Sequence, residues 1–180
     1  CQDNVMPNDF AVMPSNHSQG DIPKIAIATG AVDQVECVLR KMGIDQSEFT
    51  NPGGSGRINL YLGSSPQTAP TAFGTGTGPG SSIDAFTPSQ ASLMENSTTL
   101  NQYDVLMLPC QGSPLGDVEA GDLGTRELAN FIDFANKGGR VYSSHFSYVW
   151  MYKNGPFDGV VHWDVNKGPA VNDAIATVDI

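Results

Sequence analysis

Two short apolar segments joined by one amphipathic stretch leave residues 103–152 little choice of architecture. Val105, Leu106, Met107 and Leu108 form an unbroken apolar run that Pro109 and Gly112 bring to an end. Such a run suits a parallel strand covered on both faces better than a half-exposed one. Downstream, Leu128, Phe131, Ile132 and Ala135 recur at i, i+3, i+4 and i+7, the apolar stripe of a helix, and Gly138 stands where a left-handed C-cap residue is needed. A second strand follows in Arg140-Val141-Tyr142-Ser143-Ser144. Residues 103–144 therefore read as one strand–helix–strand crossover. The predicted fold class is α/β: an open, mainly parallel sheet with flanking helices.

The remaining segments fit that class. Residues 1–21, rich in Asn, Pro and Asp without a helical or strand period, read as an irregular arm, and residues 22–180 as a single α/β domain. Lys24-Ile25-Ala26-Ile27-Ala28 predicts a first strand, Thr29-Gly30 a turn, and Asp33-Gln34-Val35-Glu36 a capping-box-like start to a helix that stops at Gly43. The buried stripe of that helix is read as Val35, Val38, Leu39 and Met42, which places Cys37 on the opposite side. Ile58, Leu60 and Leu62 alternate with other residues and suggest a strand at a sheet edge. Residues 64–90 form a Gly/Ser/Thr/Pro loop, long for a connection within a compact domain, with Phe73, Ile83 and Phe86 as anchors. Residues 89–100 predict a short helix turning Leu93 and Leu100 to the sheet. Residues 160–163 and 174–180 read as further strands, and the chain is expected to be a fragment or to be completed at Ile180 by a neighbouring domain or copy.

In open α/β sheets, binding and reactive groups gather beyond the carboxyl ends of the strands. That rule brings Cys110, Ser144 and His145 to one edge. Cys110 or Ser144 is a candidate nucleophile with His145 as base, and the bland alternatives are a disulfide half or buried thiol and a packed histidine. His145, Tyr148, Trp150 and His162 are candidate ligand-binding residues, the aromatic ones as stacking platforms. His162 and Asp164 flank Trp163, so on a strand they share a face, and with His145 they compose a candidate metal set. No cofactor is otherwise called for: the chain has neither GxGxxG nor GxxxxGK[ST], and Asp117, Glu119 and Asp122 lack the calcium-loop pattern.

The run Gly138-Gly139-Arg140-Val141-Tyr142-Ser143-Ser144-His145, taken with the Pro109-Cys110-Gln111-Gly112 turn, resembles the class I glutamine amidotransferase-like superfamily, and within it the ThuA-like branch found in modules of large secreted bacterial proteins. The resemblance spans roughly residues 22–163 and implies a flavodoxin-like sheet. It equates residues 109–112 with the oxyanion-hole turn and puts His145 where the amidotransferases carry their nucleophilic cysteine. No His-x-Glu pair follows, so glutamine hydrolysis is not expected.

Composition narrows the partners. A net charge of −10 with nine Lys and Arg argues against nucleic acid and anionic membrane surfaces, which need a basic footprint. No stretch reaches the ~20 apolar residues of a membrane span. No secretory leader is recognisable, and the chain is expected to be a mature product or a truncated piece. High Gly, Ser, Thr and Asn content suggests an extracellular or cell-surface setting, in which Cys37 would pair with Cys1 or Cys110 and leave one thiol over. The functional expectation is a secreted or cell-surface binding or assembly domain that reuses an amidotransferase-like fold without its nucleophile. The ligand would be a small molecule, a carbohydrate or a protein. The alternative is a hydrolase of carbohydrate or ester, and the reading leans away from an enzyme.

Overall fold

The computed structural model describes residues 12–30, 32–63, 83–84, 86–110, 124–152 and 154–160. Its elements are β1 (Ile25–Ala28), α1 (Val35–Lys41), β2 (Phe49–Thr50), β3 (Ile58–Tyr61), α2 (Gln90–Met94), α3 (Ser97–Leu100), β4 (Val105–Leu108), α4 (Thr125–Asn136) and β5 (Arg140–Ser143). The five strands form one sheet in the order β2-β3-β1-β4-β5, every pair parallel, with Ile25 opposite both Ile58 and Val105, and Leu108 opposite Ser143. The expected open parallel α/β fold is the one present.

Alternation along the strands sorts side chains onto two faces. Ala26, Ala28, Leu106 and Leu108 point to one side, where Leu93, Leu100, Phe131, Phe134 and Trp150 complete a core. Ile25, Ile27, Ile58 and Leu60 point to the other, against Phe49, Ile83 and the half-buried Leu39. The small alanines of β1 leave room for the aromatic layer on their side. α4 occupies the residues its stripe predicts, and Gly138 takes φ +93°. The next residue must also be glycine, since a Cβ on Gly139 would lie 2.4 Å from the Phe134 ring.

Several expectations are corrected. β3 is an interior strand, fully buried, because the two-residue β2 covers its outer side. Its polar positions find partners inside: Tyr103 Oη donates to Asn59 Oδ1 at 3.0 Å, and the Tyr61 and Tyr103 hydroxyls lie 2.8 Å apart. β5, expected to be buried, ends the described sheet with Arg140 and Tyr142 exposed. α1 buries Glu36 while Val38 and Met42 are exposed, so the stripe is rotated from the one read, and Cys37 is half-buried. Residues 89–100 form two helices, with the Ser89 and Asn96 side chains each accepting an N-cap hydrogen bond, while Leu93 and Leu100 reach the core as expected. Ile83 anchors its loop but Phe86 is exposed, and Phe73 lies outside the described residues. Val160 closes a 3-10 turn and is not in a strand; residues 161–163 and 174–180 lie outside the described residues.

The described part of the arm is irregular but pinned. The buried Glu48 carboxylate accepts from the His17 and Arg57 backbone N–H groups at 2.8 and 2.9 Å and lies 2.7 Å from His17 Nδ1. Burial pushes this carboxyl up, yet those donors together outweigh it and hold it below the usual range.

Candidate functional site

Strand order determines where a crevice opens. From β1 the chain moves out to the edge strand β2, steps back to β3 and then crosses β1 to β4, so the direction of winding reverses between β1 and β4. Ligand sites in such sheets lie outside the carboxyl ends of the strands at that reversal. Three loops meet there: Thr29 to Asp33 after β1, Pro109 and Cys110 after β4, and Ser144 and His145 after β5.

The β1 and β4 loops are in close contact. Val32 N–H donates to the Cys110 carbonyl at 3.2 Å. A Cβ on Gly30 would fall 2.7 Å from that carbonyl oxygen and 2.8 Å from Pro109 Cβ, so the approach requires glycine. After β5, Ser144 is extended and His145 turns to φ +43°, opening the 3-10 segment His145–Trp150. A non-glycine residue in that region costs about 1 kcal/mol or more. Local bonds hold the turn: Ser147 N–H to the Ser144 carbonyl at 2.9 Å, Ser143 Oγ to the Ser147 carbonyl at 2.7 Å, and Ser147 Oγ to the Pro109 carbonyl at 2.9 Å.

The turn brings His145 Nδ1 to 3.1 Å from Cys110 Sγ. The two residues differ sharply in access. Cys110 is 0% exposed, whereas His145 is on the surface and stacks on Phe146 with ring centroids 4.1 Å apart. Ser144 does not face the imidazole: its Oγ donates in a short hydrogen bond to Asp33 Oδ2. The Cys110 N–H donates to the same Asp33 oxygen at 3.3 Å and to Ser144 Oγ at 3.0 Å.

Sequence reasoning missed Asp33, reading it as a helix cap. α1 is instead preceded by Gln34, without a side-chain cap, and the Asp33 carboxylate is turned into the crevice. The available signal was its position in the loop after the central strand. Trp150 is corrected: it is 2% exposed and packs on Phe131 with centroids 5.7 Å apart, so it belongs to the core and not to a ligand platform. Tyr148 is half-buried beside Tyr152. His162 and Asp164 lie outside the described residues, and among those described no three His, Cys, Asp or Glu side chains are grouped as a metal site. Asp117, Glu119 and Asp122 also lie outside. Cys37 and Cys110 are not bridged to each other in this structure, and Cys1, the other expected partner, is not among the described residues. Burial and the neighbouring Glu36 push the Cys37 thiol up, Lys41 opposing them. No described helix is long and apolar enough to cross a membrane.

Comparison of the chain with protein-family models, curated proteins and solved structures found no match.

Proposed function

We propose that this is a binding domain on an amidotransferase-like fold, of the ThuA-like kind, which holds its ligand in the strand-end crevice through His145 and does not hydrolyse glutamine. The observation that carries the reading is an exposed imidazole whose Nδ1 is tied to a fully buried thiol. The thiol, the strained backbone and the Phe146 ring restrict the imidazole to one orientation and leave its other nitrogen for a ligand. Catalysis by Cys110 would need a reachable sulfur and a base oriented by a third group. Here the sulfur is covered, and the carboxylate that the described residues bring to the crevice, Asp33, contacts Ser144 and the Cys110 backbone. Of the turn that the resemblance equates with an oxyanion hole, the Cys110 N–H is already donated to Asp33 and Ser144.

The test is titration with a panel of neutral sugars, Zn²⁺ and Ca²⁺, followed by the imidazole proton resonances. Binding that shifts the His145 signals, disappears in His145→Ala and leaves the unfolding midpoint within about 0.5 kcal/mol of the parent supports the reading. One specific observation favours the hydrolase alternative, the 3.1 Å thiol–imidazole contact. Ammonia release from glutamine, or ester hydrolysis, that is lost in Cys110→Ser would replace the binding reading by that one.

An extracellular setting is part of the proposal, and it assigns the bridge to Cys1 and Cys37, since Cys110 is engaged with His145. Thiol titration of the denatured, unreduced protein is then expected to find one thiol per chain. Three would indicate a reducing compartment.

A further inference from the structure

We infer that Asp33 is the positioning residue of the crevice, a carboxylate built into the fold at the point where the loops after β1, β4 and β5 meet. This rests on the crevice being the working site. The residue lies 77 positions from Cys110 and 111 from Ser144, yet one of its oxygens accepts from both the Cys110 N–H and the Ser144 hydroxyl. A carboxylate at the start of a helix would ordinarily cap it, and α1 begins without a side-chain cap. The donors that Asp33 engages belong instead to the residue carrying the thiol and to the residue immediately before the imidazole. Ser144 Oγ closes the triangle by accepting from the Cys110 N–H as well. Without the carboxylate, two donors lose their charged acceptor, and the β4 loop and the His145 turn lose the anchor that ties both to the β1 loop, keeping their direct contacts from Cys110 to Ser144 and His145 and from Ser147 to Pro109. The hollow left behind would be lined by an N–H and a hydroxyl, a seat for a small carboxylate such as formate. Asp33 thus acts on His145 through Cys110 and Ser144, without touching the imidazole.

Peptide-resolved alkylation with iodoacetamide tests this on the full chain with no ligand present, so it stands or falls separately from the binding titration. The folded protein is first reduced with a phosphine, so that Cys37 is a thiol whatever its bridging, and Cys37 then serves as the internal reference. In Asp33→Ala the rate at Cys110, relative to Cys37, is expected to rise by about tenfold or more, as loss of a hydrogen-bonded charged acceptor implies. Formate at tens of millimolar is expected to return it toward the parent rate in Asp33→Ala and to have no effect in Ser144→Ala. If Asp33→Ala does not fold, Asp33→Asn, which keeps the shape and loses the charge, is expected to give a smaller rise at Cys110 alone. An equal rise at both cysteines, no rise, or a rise that formate leaves unchanged would overturn the assignment.

Discussion

Replacing Phe131 by alanine is expected to lower the stability of the folded chain by about 3–5 kcal/mol, the larger of two stability effects the structure implies. The ring is fully buried at the middle of α4. It meets Trp150 at 5.7 Å and Phe157 at 5.4 Å between centroids, in tilted and edge-on geometries. Such pairs add to the gain from burial itself. Both partners follow the His145 turn in sequence, and both are large and packed on this one ring of α4, so they can collapse into the vacated volume only by moving the segment that carries the site. Equilibrium urea unfolding of the variant checks the value. A loss below about 1 kcal/mol would mean that α4 does not present this face to the sheet.

Glu36→Gln is expected to stabilise the protein at alkaline pH and to do nothing at pH 4. Glu36 is 2% exposed, neither carboxyl oxygen has a hydrogen-bond partner on another described residue, and burial, outweighing the pull of its own backbone N–H, pushes its pKa up to about 7 from 4.5. Arg40, one helical turn on, does not answer it: its guanidinium donates to the Ile44 carbonyl instead. The folded state therefore keeps the Glu36 proton to about pH 7, whereas the unfolded chain releases it near pH 4.5. A raised acid pKa means that the folded state binds more protons, so stability falls as pH rises through that window and levels off above it. At roughly 1.4 kcal/mol per pH unit, the parent is about 3 kcal/mol less stable than the glutamine variant at pH 8. Paired unfolding curves at pH 4 and pH 8 measure the difference. Equal midpoints at both pH values would show that the carboxyl is hydrated in solution.

Glu36 also shows why part of the fold could not be read from the sequence. α1 has fewer than two full turns, and on so short a stripe several apolar choices look alike; nothing local announces that a carboxylate will be the buried residue. β3 was misplaced for a related reason. Asn59 and Tyr61 look like solvent-facing positions until Tyr103, more than 40 residues away, supplies their partner. By contrast β1, β4 and α4 were legible, because their signals are short-range: apolar runs of strand length, a 3.6-residue stripe, and glycine at the helix end. The approach of Cys110 and His145 was legible too, since strand ends on one edge of a parallel sheet converge whatever the loops contain. Asp33 was not, because the same residue type in the same place serves equally well as a helix cap, and only the packed loops decide between the two.

Assembling one contact from loops far apart in the chain has a consequence for how the protein is made. The Cys110 thiol leaves the ribosome 35 residues ahead of the imidazole that will meet it, an interval of roughly two to seven seconds at ordinary synthesis rates. During that interval β5 does not yet exist, and the sulfur has neither its partner nor the turn that covers it. Cys37 has already emerged. The Cys37–Cys110 pairing that the structure does not contain is therefore open to the nascent chain, and the speed with which β5 docks determines how often it forms.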